Sequence, residues 1–124
     1  MVMAGLLESV AAASDAGVAR GRIVVDPGFG FGKKGDENYT LLAGLEGLRE
    51  LGLPVLSGTS RKGFLGASLK HLYGGEPVPP DLRGNATTAA NVASVLAGAH
   101  ILRVHDVRAA VESAAVADAI LVLA

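Results

Sequence analysis

The sequence predicts an α/β fold, and three observations carry that expectation. Short, largely apolar segments (IVV at 23–25, PVL at 54–56 and HILRV at 100–104) are separated by stretches whose apolar residues recur at helical spacing. The apolar half of the composition is mostly Ala, Val and Leu, without Trp. Seventeen glycines in 124 residues are many for a helical bundle. Short apolar strands alternating with helices are how a parallel sheet buried on both faces reads.

From the N-terminus, GLLESVAAASDA at 5–16 has helical spacing, and Gly17 stands where a left-handed residue closes a helix. IVV is the first strand. ENYTLLAGLEGLREL at 37–51 reads as one helix, with Asp36 as N-cap, Gly52 as stop, and Leu41, Leu42, Leu45 and Leu48 as its core stripe. PVL is the second strand, and residues 58–62 turn into a short helix over 63–72. The prolines and glycines of YGGEPVPPDLRG at 73–84 make it a loop. A helix over 86–97, the strand HILRV, and a helix over 107–123 with Asp106 as N-cap complete the chain. Right-handed crossovers then point all three strands the same way. No boundary divides residues 1–124, which read as a single domain burying roughly 65% of its unfolded surface.

The formal net charge of -1 excludes a general polyanion binder, so no nucleic-acid partner is expected. The absence of Cys excludes a disulfide framework and a thiolate metal site. MVMAGLLESV lacks a cationic start and meets Glu8 early, which makes a poor signal peptide. No stretch reaches the ~20 apolar residues of a membrane span. The expectation is a cytoplasmic protein without a membrane partner.

Polar residues gather where the strands end. The first strand ends in Asp26; the second runs into Ser57, Thr59, Ser60, Arg61 and Lys62; the third carries Arg103 and His105. In parallel sheets this carboxyl edge holds ligands. Asp26 can accept two hydrogen bonds from a planar donor pair on a heterocycle. Arg103 and His105, two apart on a strand, project together and suit an anion, and Lys62 adds a mobile cation. Gly63 opens a helix and offers free amides. The edge therefore asks for a polar heterocycle bearing an anionic group. Taken singly, Asp26 could simply start a turn before Pro27, Arg103 could snorkel and His105 could cap; Lys33 and Lys34 read as solvated charges, and His71 and His100 as structural.

The stretch DPGFGFGK at 26–33 invites a false match. Residues 30–35 satisfy G-x-G-x-x-G, yet Pro27 interrupts the approach, the helix starts only after Gly35, and no acid ends the next strand to bind a ribose. Lys33 is followed by Lys, not Ser or Thr, so this is no Walker loop either. The simpler reading is a close-approaching loop, with Gly30 giving room and Phe29 and Phe31 offering flat contacts to an aromatic ligand.

DPGFGFGK at 26–33, GTSRKGFLG at 58–66 and RVHDV at 103–107, with EN at 37–38, closely resemble the dihydropteroate synthase family over nearly the whole chain. The resemblance implies a (β/α)₈ barrel that joins 4-aminobenzoate to a dihydropterin methyl diphosphate and releases diphosphate. It implies that Asp26 and Lys62 contact the pterin, that Arg103 and His105 attend the leaving diphosphate, and that Phe31 lies beside the aminobenzoate. Ser60 and the helix start at Gly63, where many members have Ser, would face its carboxylate. Lys62, Arg103 and His105 are then the catalytic candidates, and Asp26, Gly30, Phe31, Ser60, Arg61 and Gly63 complete the substrate-binding set. Mg²⁺ is implied as cofactor, its asparagine ligand belonging to earlier strands without counterpart here. The methyltransferase domains that share the barrel and the acid are disfavoured by TSRK and RVHD.

A barrel of this type takes ~250 residues, and three strands give only a partial barrel with unpaired edges. The expectation is a fragment supplying roughly half the site, or a chain that homo-oligomerises or needs a completing chain; the alternative is a non-catalytic pterin- or anion-binding module. Val24, Leu56 and Leu102 would lack partners on the sheet's inner face. The isolated chain is therefore predicted to self-associate in sedimentation velocity. A monodisperse monomer with one cooperative melt is the contrary result.

Overall fold

Three segments run side by side and in the same sense. A computed structural model describes residues 2–124 of the chain. In it Val25 forms a parallel bridge with Val55. The Val25 amide donates to Pro54 O at 2.9 Å, and the Leu56 amide to Val25 O at 2.8 Å. β1 (Leu56–Ser57) pairs in parallel with β2 (Ile101–Leu102), Leu56 opposite Ile101 and Ser57 opposite Leu102. The expected direction holds, but the regular pairing is shorter than the apolar segments suggest. Residues beyond Ser57 turn their hydrogen bonds to a helix, and residues beyond Leu102 curve into the loop that caps the last helix.

The helices show how glycine edits an apolar pattern. α1 (Val2–Asp15) closes as expected at Gly17, whose φ is +95°, with Gly17 N–H donating to Ser14 O and Val18 N–H to Ala13 O. The single helix expected over 37–51 is two: α2 (Asp36–Ala43) stops at Gly44, and Leu45–Leu51 continues as a 3₁₀ helix. Residues three apart eclipse in a 3₁₀ helix, so Leu45, Leu48 and Leu51 fall on one line, and all three are buried. Asp36 lies inside α2, while Gly35, at φ +40°, takes the N-cap position without a side-chain cap. Likewise the helix expected over 63–72 ends early: α3 (Gly63–Ser68) gives way to a 3₁₀ turn at Lys70–Leu72. The loop before α4 (Gly84–Leu96) carries a 3₁₀ turn at Pro80–Leu82. α5 (Val107–Leu123) begins as predicted, Asp106 Oδ1 accepting from the Ala109 amide at 3.1 Å. It packs beside α4.

Val25, Val55, the leucines of the 3₁₀ helix, Leu42, Phe64, Leu65 and Ala90 form one apolar cluster, against which Met3, Leu6 and Val10 of α1 lie half-buried. Phe29 belongs to it too. It is 1% exposed, its ring stacked 6.2 Å from that of Phe64, so the expected ligand contact at Phe29 is corrected to a core contact. Phe31 is 67% exposed. Val24 is exposed, and Leu56 and Leu102 are only half-buried, as expected of inner-face residues without partners; Ile101 is exposed as well. No helix among the described residues is long and apolar enough to cross a membrane. The two phenylalanines should separate cleanly in urea unfolding. Phe29→Ala is expected to cost about 3–5 kcal/mol, and Phe31→Ala no more than about 0.5 kcal/mol.

Candidate functional site

From Ser57 to Arg61, as the chain leaves β1 and turns, alternate residues bond to α4. Ser57 Oγ bonds Ser94 Oγ at 2.8 Å, Thr59 Oγ1 donates to Asn91 Oδ1 at 3.4 Å, and the Arg61 amide donates to Thr87 Oγ1 at 3.1 Å. Ser57, Thr59, Thr87, Asn91 and Ser94 are all buried. Gly58, Ser60 and Lys62 fall between these contacts. With Arg103, Val104 and His105 they line a cavity of about 200 Å³. The seam with α4 has no signature in one dimension, because isolated Ser, Thr and Asn on a helix look like surface.

Each predicted residue can be placed. Asp26 Oδ1 accepts from the Gly28 amide at 2.8 Å, so it does start a turn; its Oδ2 lies 3.4 Å from Arg103 Nη1. That pair is half exposed, hence weak, and open to exchange with a ligand. The Arg103 guanidinium lies against the Gly58 backbone, where a Cβ would sit 2.5 Å from Nη2. His105 Nδ1 is 2.7 Å from Ser60 Oγ, which also accepts from the His105 amide at 3.2 Å. The bond between the Ser60 hydroxyl and Nδ1 fixes the orientation of the imidazole and leaves Nε2 as its free edge. Arg103 and His105 thus meet at the cavity from the loop after β2 rather than from a continuing strand, each held by a different neighbour. Arg61 stands at the edge with φ +58° and an exposed side chain, and Gly63 opens α3 as expected.

The glycine loop is held from within. Lys33, expected to be a solvated charge, donates its Nζ to Gly28 O at 2.7 Å and Phe31 O at 3.1 Å. Gly28, Gly30 and Gly32 all have positive φ, which lets five residues turn tightly enough for that contact. The Gly30 amide donates to Oδ1 of buried Asn38 at 2.8 Å, a contact missed by residue-level reading. Lys62 runs past Gly30, its Nζ 4.4 Å from the Phe31 ring centroid. Asp26, Gly30, Phe31, Lys62, Arg103, Ser60 and His105 therefore form a connected rim. Among the described residues no cluster of three or more His, Asp or Glu could hold a metal ion, and Asp26 is engaged by Arg103. The residues present do not fit the implied Mg²⁺. His100 is structural as expected, its Nδ1 accepting from the Val55 amide at 3.2 Å.

Fold and rim together define an α/β protein that presents cations, one carboxylate and an aromatic ring to a ligand at its strand ends. Residues 2–105 match the family of pterin binding enzymes, and the chain belongs to that family. Within it the chain is similar to the dihydropteroate synthase of Escherichia coli K12, 41% identical over 115 residues that cover 93% of this chain and 38% of that protein. It is also similar to the dihydropteroate synthase of Yersinia pestis, solved with a sulfonamide drug, at a TM-score of 0.91 and 36% identity, covering 99% of this chain and 42% of that one. The Coxiella burnetii dihydropteroate synthase, solved with pteroic acid, gives a TM-score of 0.91 and 39% identity, covering 99% and 43%. The chain spans about two fifths of the length of these proteins.

Asn38→Ala removes the acceptor that fixes the middle of the glycine loop. The Gly30 amide should lose its protection in hydrogen exchange, with about 1–3 kcal/mol of stability lost in urea. Unchanged Gly30 exchange would refute the role.

Proposed function

We propose that this chain provides the pterin-contacting and diphosphate-releasing side of a dihydropteroate synthase active site. The observation that carries the reading is the connected rim at the strand ends of a pterin binding enzyme: Asp26 with Arg103, Ser60 with His105, and Lys62 over Phe31. The substrates are a dihydropterin methyl diphosphate and 4-aminobenzoate. Val24 and Ile101, exposed on the flanks of the sheet, are covered by further parallel strands that complete a (β/α)₈ barrel, from additional polypeptide or from a partner chain.

In this reading the pterin's ring N–H groups displace Arg103 from Asp26 and take its carboxylate as acceptor. Arg103 and the Nε2 edge of His105 then face the diphosphate, and Lys62 contacts the pterin. The methylene carbon–oxygen bond breaks, both electrons leaving on the diphosphate oxygen. The aniline nitrogen forms the new carbon–nitrogen bond with its lone pair and gives up one proton. Charge grows on the diphosphate as the bond breaks, so donors already aimed there accelerate the step. Phe31 flanks the aminobenzoate ring, with Arg61 and Gly63 toward its carboxylate. Ser60 serves this site chiefly through His105, because its hydroxyl is already engaged. No step is routed through Mg²⁺.

The test is turnover with the pterin diphosphate and labelled 4-aminobenzoate, by the chain alone and with added barrel-completing polypeptide. Labelled dihydropteroate supports the proposal; pterin binding without product in either setting supports a non-catalytic binding module. Where turnover is seen, Arg103→Lys is expected to lower kcat about 10²-fold, because one ammonium cannot replace a guanidinium fork. Gly58→Ala should likewise reduce turnover by displacing that guanidinium, yet leave the melting temperature nearly unchanged. A large loss of stability in Gly58→Ala would separate that effect from the proposed one.

A further inference from the structure

Residues 59–62 form a turn in which the Lys62 amide donates to Thr59 O at 3.1 Å. Its third position, Arg61, has φ +58° and is the sole non-glycine residue with positive φ among those described. A turn of this kind normally takes Gly or Asn there, since a side chain in that conformation is strained. Such strain persists only where the surroundings over-determine it. Here both backbone dipoles of Arg61 are gripped by one turn of helix: its amide donates to Thr87 Oγ1 at 3.1 Å, and its carbonyl accepts from Arg83 Nη1 at 2.7 Å. Arg83 is anchored in turn, its Nε donating to Val78 O at 2.7 Å. It crosses α3 at Gly66, where any Cβ would collide with Arg83 Nε and with the Val78 carbonyl oxygen.

We infer that Arg83 and Thr87 are positioning residues that hold Arg61 in the left-handed conformation and thereby aim its two neighbours. Ser60, on one side of Arg61, sets the ring of His105; Lys62, on the other, lies along Gly30 toward Phe31. If Arg61 relaxed to a negative φ, the turn would open and both side chains would swing. The guanidinium is suited to this task because its fork reaches two carbonyls at once, on Arg61 and Val78, which a lysine cannot do. The effect on ligand binding rests on the proposed synthase reading, whereas the effect on the turn does not.

The experiment follows the imidazole ¹⁵N resonances of the histidine-labelled chain, with Ser60→Ala marking the position of a His105 ring freed from Ser60. Arg83→Ala and Arg83→Lys should both move the His105 signal toward that position, with a melting temperature lower by about 5 °C. Adding Arg61→Gly to Arg83→Ala should return the signal toward wild type, because glycine adopts positive φ without a clamp. Pteroic acid affinity, read by fluorescence, should fall roughly tenfold in Arg83→Ala. A His105 signal that stays at its wild-type position while the melting temperature falls would reduce Arg83 to a structural staple and overturn the inference. So would a displaced signal that Arg61→Gly fails to restore. A wild-type chain that does not bind pteroic acid would count against the synthase reading, and the resonance data would still decide the clamp.

Discussion

The polar seam between the second strand and α4 is the constraint from which the site follows. Ser57, Thr59 and the Arg61 backbone meet Ser94, Asn91 and Thr87 in order, two-residue steps along one segment against three- and four-residue steps of helix. No buried side-chain oxygen or nitrogen among the described residues is left without a partner, so the seam satisfies the polar atoms it buries. A one-residue slip would orphan those groups. The register that satisfies the interior is thus the one that presents Gly58, Ser60 and Lys62 to the cavity. Core and site share one register.

On the other side of the cavity the arrangement depends on room. Arg103 can lie flat across Gly58 because there is no Cβ, and Lys62 can pass Gly30 for the same reason. The glycine loop brings its own support, Lys33 tying residues 28 and 31 from inside and Asn38 fixing residue 30 from α2. Cations that would repel one another if left free are distributed among an acid, backbone carbonyls and an aromatic face. Asp26 is held by Gly28 and shared with Arg103, which leaves a modest barrier to handing either partner over to a ligand.

Much of this was legible in the sequence, and the exceptions have physical causes. Strand direction, the Asp106 cap, the Gly17 closure and the clustering of Asp26, Lys62, Arg103 and His105 follow from periodicity, capping chemistry and the parallel-sheet rule. The break at Gly44 escaped because a leucine every third residue satisfies a 3₁₀ helix as readily as a stripe of an α-helix. Phe29 and Phe31 occupy equivalent places in a G-F-G-F-G pattern, and only backbone dihedrals send one inward and the other out. The seam was hidden because hydroxyls and amides acquire meaning only from what they face. Arg61 reads as a binding residue from its neighbours, and its φ leaves no trace in residue identity.

The seam also bears on how the molecule comes together in time. Its bonds join residues 26 to 37 positions apart, and the Ser60–His105 contact spans 45. Helices α1, α4 and α5 need only local contacts to form, whereas the rim exists only after distant segments have closed large loops. Its assembly therefore belongs to the late, slow part of folding. Until that closure the segment presents hydroxyls and lysine to water without geometry, and a nascent chain carries every residue of the rim while forming none of its contacts.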